Sequence, residues 1–157
     1  MESINERYIV LADKLVKHLL KFFGDRLVSV IVYGSVGRGE ASEESDIDLL
    51  VVVRDLPKSR FERQRIFSRI EEEIGRDSAK FSPILKTPEE ASRITPLYLD
   101  LVEDSIILYD RDDFMKKVLD RLRRRLEELG ARRIWRGKSW YWILKPGLKF
   151  GEVFEIE

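Results

Sequence analysis

Two apolar runs, and the short segment between them, leave this chain few folds to choose from. Val28 to Tyr33 and Leu49 to Val53 are rich in β-branched residues and carry almost no polar side chain. Runs of that length and composition read as strands buried on both faces. Gly34-Ser35 ends the first run abruptly, and the second opens on Asp46-Ile47-Asp48. Residues two apart on a strand point the same way, so both carboxylates are expected to project together from the strand's start. Like charges held side by side repel unless a cation lies between them. A hard divalent ion, Mg2+ above all, suits an all-oxygen site and keeps positions free for water and phosphate oxygens. The plain alternative is an ordinary polar beginning to a strand, facing solvent.

Gly34-Ser35 supplies a complement to those acids. Glycine lets backbone approach a ligand closely, and turn amides leading into a helix can cradle a phosphate. The Ser35 hydroxyl can donate to a phosphate oxygen. Arg38 reads either as a phosphate clamp or as a solvated loop residue, and Ser45 as a cap that orients the aspartate loop. A phosphate cradle beside metal-binding carboxylates points to nucleoside triphosphate chemistry; a tight turn without a ligand is the alternative.

Gly34-Ser35, ten residues, then Asp46-Ile47-Asp48 resembles the glycine-serine and paired-aspartate motif of the DNA polymerase β-like nucleotidyltransferase superfamily. The fuller string GSVGRGEASEESDIDLLVV is similar to the minimal nucleotidyltransferases of archaea and bacteria, which include the antitoxin partners of HEPN-domain toxins. The resemblance implies an α/β (α+β) fold: a small mixed sheet packed with helices. It implies transfer of a nucleoside monophosphate from an NTP, with ATP the expected donor, to a protein or small-molecule acceptor. Asp46 and Asp48 would then be catalytic and hold two Mg2+ ions, with Gly34, Ser35, Arg38 and Ser45 on the nucleotide side. It further implies a third carboxylate on the next strand. That strand, Lys80 to Lys86, carries no acid; Asp77 precedes it, Glu89 and Glu90 follow, and Asp100, Glu103 and Asp104 come later. A nucleotide- or partner-binding module of antitoxin type, weak or inactive in transfer, therefore stays open beside the enzyme.

At 157 residues the chain reads as one domain with an appendage: 1–110 carry the site, and 111–157 form a C-terminal helix and Trp-rich hairpin packed on or extending the same domain. No separate acceptor-binding domain is evident, which favours an acceptor supplied by a partner, either a HEPN-type protein or a second copy in a homodimer. The absence of cysteine excludes disulfides and thiolate chemistry. The acidic, amphipathic N-terminus is unlike a signal peptide, and no apolar run approaches the ~20 residues of a membrane helix. A cytoplasmic protein is expected. Charged residues make up 37% of the chain, which leans toward a thermophilic source.

Net charge is zero but uneven: −5 over residues 1–110, +8 over 111–149 and −3 over the last eight. Arg121, Arg123, Arg124, Arg125, Arg132, Arg133, Arg136 and Lys138 lie near Trp135, Trp140, Tyr141 and Trp142. Basic residues among stackable rings can bind single-stranded nucleic acid. The alternative is that the basic segment docks on the acidic one and the tryptophans pin it there.

The remaining elements follow from caps and periodicity. Ser3–Glu6 is a capping box opening a helix to Phe23, and Ser59–Glu62 a second one opening a helix to Ile74 with Phe61, Ile66, Phe67, Ile70 and Ile74 inward. Pro83 marks the third strand as an edge or bulge. Thr87 and Thr95 each start a short helix. Ile106 to Tyr109 form a strand, Asp112 or Asp113 caps a helix over 114–129, and Arg132 to Leu144 form a hairpin. Glu152 to Ile156 read as a last short strand. His18 sits beside an apolar stripe and is given no role.

Overall fold

The computed structural model describes residues 2–149 and 151–157. Helix α1 (Ile4–Phe23) starts at Ser3, whose hydroxyl accepts from Glu6 N while Glu6 returns the bond to Ser3 N. Strand β1 (Leu27–Tyr33), the short helix α2 (Gly34–Gly37) and strand β2 (Ile47–Val53) follow. Helix α3 (Arg60–Ile74) leads to β3 (Phe81–Lys86), α4 (Pro88–Ala91), α5 (Pro96–Asp104) and β4 (Ile106–Asp110). Helix α6 (Phe114–Leu129) and the hairpin of β5 (Arg132–Arg136) and β6 (Ser139–Ile143) complete the order.

Four strands form a mixed sheet in the order β3-β2-β1-β4, with β1 antiparallel to both neighbours and β2 parallel to β3. Side chains alternate across β1 and β2, and both faces are covered. Val30, Val32, Leu49, Val51 and Val53 pack beneath α1 and α3 with Leu15, Leu19, Phe67 and Ile70. Ile31, Leu50 and Val52 pack on the other face with Tyr98 and Leu101 of α5 and Met115 and Leu119 of α6. Helix α6 thus belongs to the same core as the sheet. The polar Ser29 is fully buried in β1 and donates to the Tyr109 carbonyl, so no donor is left unpaired there.

Four expectations need correcting. Phe61 is 72% exposed and not inward. The place on the buried side of α3 is taken by Arg63, which donates to the carbonyls of Pro57 and Leu85 and to Glu90. Apolar periodicity cannot foresee a buried arginine whose donors are all met. At the start of α3, Ser59 accepts from Glu62 N, but only Ser3 and Thr87 have the reciprocal bond of a full capping box. At α6 the cap comes from neither Asp112 nor Asp113, which lie in the left-handed region; Asp110 spans the gap and accepts from Met115 N and Lys116 N. Finally, residues 152–156 form no strand: Glu157 accepts from Ile94 N and Arg125 donates to the Glu155 carbonyl, which holds the tail as an extended strap.

Candidate functional site

The turn after β1 and the start of β2 meet because the two strands are antiparallel neighbours. The register sets Tyr33 opposite Asp48, so the residue before Gly34 and the second aspartate share one face. Asp48 has the strand parity of Leu50 and Val52, which places its carboxylate on the face covered by α5 and α6. Asp46 precedes β2 and is exposed.

Gly34 is what lets the turn close on the acid. Its φ is +68°, and a Cβ built there would lie 2.2 Å from Asp48 Oδ2. Only glycine gives both the left-handed backbone and the space. Gly37 has a different reason: a Cβ there would lie 2.3 Å from the Asp104 carbonyl oxygen. The turn is seated on the end of α5 by this second close approach.

The segment between turn and aspartates is tied to α1. Asn5 donates to the Val36 carbonyl and accepts from Ala41 N, and the Tyr8 hydroxyl and the Lys80 ammonium both donate to the Glu43 carbonyl. Ser45 Oγ accepts from Ser42 N at 2.9 Å. Its hydroxyl closes a turn in the loop ahead of Asp46.

Electrostatics mark the same spot. Burial, then the neighbouring Asp46, push the Asp48 carboxyl above its ordinary range, while Arg38 draws it back. Burial and the Asp48 charge push the Tyr33 phenol up to about 12, so it stays protonated at neutral pH. Arg38 reaches the site from the end of α2, pairs with Glu40 at 3.3 Å, and stacks its guanidinium 5.0 Å from the Trp140 ring centroid.

No acid lies on β3. The parallel register sets Ser82 beside Asp48, and Ile84 and Lys86 follow on the same face. Glu89 falls beyond the far end of that strand. Asp100 and Asp104 are engaged with the hairpin: Trp140 Nε1 donates to Asp100 at 3.0 Å, and Arg133 pairs with Asp104. Among the described residues no three histidine or acidic side chains gather as a metal-holding group. Asp46 and Asp48 are the pair of carboxylates beside the turn.

Sequence reasoning did not single out Tyr33, and it named Asp100 and Asp104 only as acids later in the chain, without placing them at the turn. Tyr33 was legible in principle, since it abuts Gly34 and faces Asp48 once β1 and β2 pair as a hairpin-like unit. Asp100 and Asp104 were not, because only tertiary packing brings α5 to the turn. Several cations of the basic segment are spoken for inside the chain: Arg123 donates to the Val102 carbonyl, Arg125 to the Glu155 carbonyl, and Arg133 pairs with Asp104. A cavity of about 500 Å³ between α3 and β3, lined by Arg63, Ile84, Leu85 and Lys86, contains none of the site residues. No helix among the described residues is long and apolar enough to cross a membrane.

Comparison with known proteins gives the family of the chain. Residues 12–128 match the family model described as a nucleotidyltransferase domain. The chain is 40% identical to MJ1305 of Methanocaldococcus jannaschii, named as a protein adenylyltransferase, over 71% of this chain and 78% of that one. It is 31% identical to MJ0141 of the same organism, also named as a protein adenylyltransferase, over 56% of this chain and 84% of that one. A crystal structure from Sulfolobus solfataricus, described as of a nucleotidyltransferase, matches in fold with a TM-score of 0.52 at 24% identity, covering 69% of this chain and 85% of that one.

Proposed function

Because the chain belongs to the nucleotidyltransferase domain family, and is on that ground a nucleotidyltransferase, we propose that it transfers AMP from ATP to a hydroxyl on a protein, and that Gly34, Ser35, Arg38, Ser45, Asp46 and Asp48 form its site. The observation that carries this reading is the contact between Gly34 and Asp48. The turn that would hold the phosphates lies directly against the carboxylate that would hold their metal. The protein acceptor is supported by the names of the two relatives.

The residues fit a hard divalent ion. Asp48 is pushed up by its burial and by Asp46, and a cation between the two carboxylates relieves that repulsion. Mg2+ held by Asp46 and Asp48 would neutralise phosphate charge and lower the pKa of an attacking hydroxyl. A second ion would find only the same two aspartates from this chain. The chain's own groups do the rest. The Gly34-Ser35 backbone and the Ser35 hydroxyl donate to phosphate oxygens. Arg38, backed by the Trp140 ring, places a positive charge where pyrophosphate charge grows. Ser42 and Ser45 fix the loop that aims Asp46. The protonated Tyr33 offers a neutral hydrogen-bond donor beside Asp48.

With Ser82 beside Asp48 in place of an acid, β3 supplies no base for the acceptor hydroxyl. The acceptor protein brings its own activation or reacts slowly. A HEPN-type partner fits the motif's resemblance to minimal nucleotidyltransferases.

The test is transfer of label from α-phosphate-labelled ATP with Mg2+ to candidate protein acceptors, including HEPN-type proteins encoded beside this chain. Label on the acceptor, lost in Asp46→Asn and Asp48→Asn, is expected. Mg2+-dependent ATP binding with no transfer to any acceptor would reduce the chain to a nucleotide-binding module. Absence of binding would remove the reading.

A further inference from the structure

The Trp-rich hairpin touches the site through Trp140 and Arg133. All three tryptophans of the chain lie in it, at positions 135, 140 and 142. They do different things. Trp142 packs against the core beneath α5 and α6. Trp140 is tied to Asp100 through its indole N–H. Trp135, at 49% exposure, is not needed in either way. Its ring centroid lies 5.1 Å from that of Trp140, tilted by 56°. Arg133 lies 4.7 Å from the Trp135 centroid and 5.5 Å from that of Trp140, and its pairing with Asp104 anchors this arrangement to α5.

The same helix end seats the Gly34–Gly37 turn. Turn and hairpin are therefore fixed to one support. Arg38 joins them, with its charge felt at Asp48 on one side and its guanidinium 5.0 Å from the Trp140 centroid on the other. A relay of neighbours links Asp48 through Arg38 and Trp140 to the half-exposed Trp135. It passes from metal-binding carboxylate to phosphate-binding cation to bare aromatic face. A nucleotide presents the matching order of metal-bound phosphates, then sugar, then a flat base.

We propose that the open indole of Trp135, backed by Trp140 and Arg133, is the stacking platform for the purine base of the bound nucleotide. The proposal rests on the triphosphate site described above. An indole flanked by Trp140 and Arg133 that keeps half its surface open is suited to stacking, which needs a π-face and little else. Stacking gains with ring size, so purine triphosphates are expected to bind more tightly than pyrimidine ones, with ATP and GTP close together.

The location of all three tryptophans makes the test direct, because intrinsic tryptophan emission reports on the hairpin alone. The full chain is titrated with Mg·ATP and with Mg·tripolyphosphate, followed by emission and by calorimetry. ATP is expected to change the emission, and tripolyphosphate to bind without doing so. Trp135→Ala should lose about five- to a hundred-fold in ATP affinity, the range of base–aromatic stacking. Tripolyphosphate affinity should be unchanged, and Trp135→Phe should recover most of the ATP affinity. Far-UV circular dichroism checks that both variants fold. ATP binding that needs Asp48, yet leaves emission and the affinity of Trp135→Ala unchanged, overturns the platform and keeps the triphosphate site. Loss of transfer in Trp135→Ala at unchanged ATP affinity overturns it in favour of an acceptor contact. If neither ligand binds in a way that Asp48→Asn abolishes, the triphosphate reading fails and the platform with it.

Discussion

Replacing Gly34 by alanine probes the contact on which the site is built. A residue with a Cβ pays about 1–2 kcal/mol for the left-handed backbone that Gly34 adopts at φ +68°. The added methyl would also lie 2.2 Å from Asp48 Oδ2 and 3.2 Å from its Cγ, so the carboxylate has to leave its rotamer, at about 0.5–1.5 kcal/mol. The total is about 1.5–3.5 kcal/mol, and for a chain of this size a melting point lower by about 3–14 °C. Calorimetric melting of the metal-free protein measures it, and titration with Mg·ATP should show binding lost. A double-mutant cycle separates the two contributions. Asp48→Ala removes the clashing atoms, so it should relieve the steric part of Gly34→Ala and leave the backbone part, giving a coupling of about 0.5–1.5 kcal/mol. Gly37→Ala is the control. Its Cβ meets the Asp104 backbone oxygen at 2.3 Å, so Asp48→Ala should not rescue it. Additive effects at Gly34 and Asp48, or a Gly34→Ala protein that melts and binds like the wild type, refute the reasoning.

Burial and Asp46 raise the Asp48 carboxyl, so its ionised form is disfavoured in the folded state. That penalty is complete above the folded pKa and absent once pH falls below the ordinary aspartate value of about 3.9. Asp48→Asn should therefore melt above the wild type at pH 7 without Mg2+, with the difference shrinking on acidification; equal melting points at pH 7 sink the idea. Arg63→Met should cost about 1.5–3 kcal/mol through its lost charged hydrogen bonds, read from urea unfolding. Although burial works against it, Glu90 is held down to about 2 by hydrogen bonds from Arg63 and Thr87. The stability Glu90 contributes is thus present above about pH 4.3 and lost as pH falls toward 2, and the gap between Arg63→Met and wild type should close over that window. Tyr98 is fully buried and donates to the Ala91 carbonyl; Tyr98→Phe should cost about 0.5–1.5 kcal/mol in the same assay, and no change would argue against that bond.

Much of the fold could be read from the chain because its signals are local. The Ser3 and Thr87 boxes start their helices where expected, and the interrupted apolar runs give β1 and β2. Pro83 does mark an edge strand, since β3 ends the sheet order. The misreadings share a cause. Arg63 is buried, Phe61 is exposed, and Asp110 caps α6 from two to three residues before the expected positions. In each case a tertiary or turn geometry met a polar group's needs in a way residue type alone does not encode.

By itself the sequence determined that a glycine turn ends one buried strand and two aspartates open the next, because spacing and strand periodicity are properties of the chain. Tertiary structure decided what surrounds them. The antiparallel register put Tyr33 against Asp48, and the parallel one put Ser82 where an acid was sought. Packing of α5 carried Asp104 to the turn, and its Asp100 and Asp104 hold the hairpin that seats Trp140 beside Arg38. Those contacts join residues as much as a hundred positions apart, and such pairings are set by which surfaces bury together, not by anything within one stretch of chain.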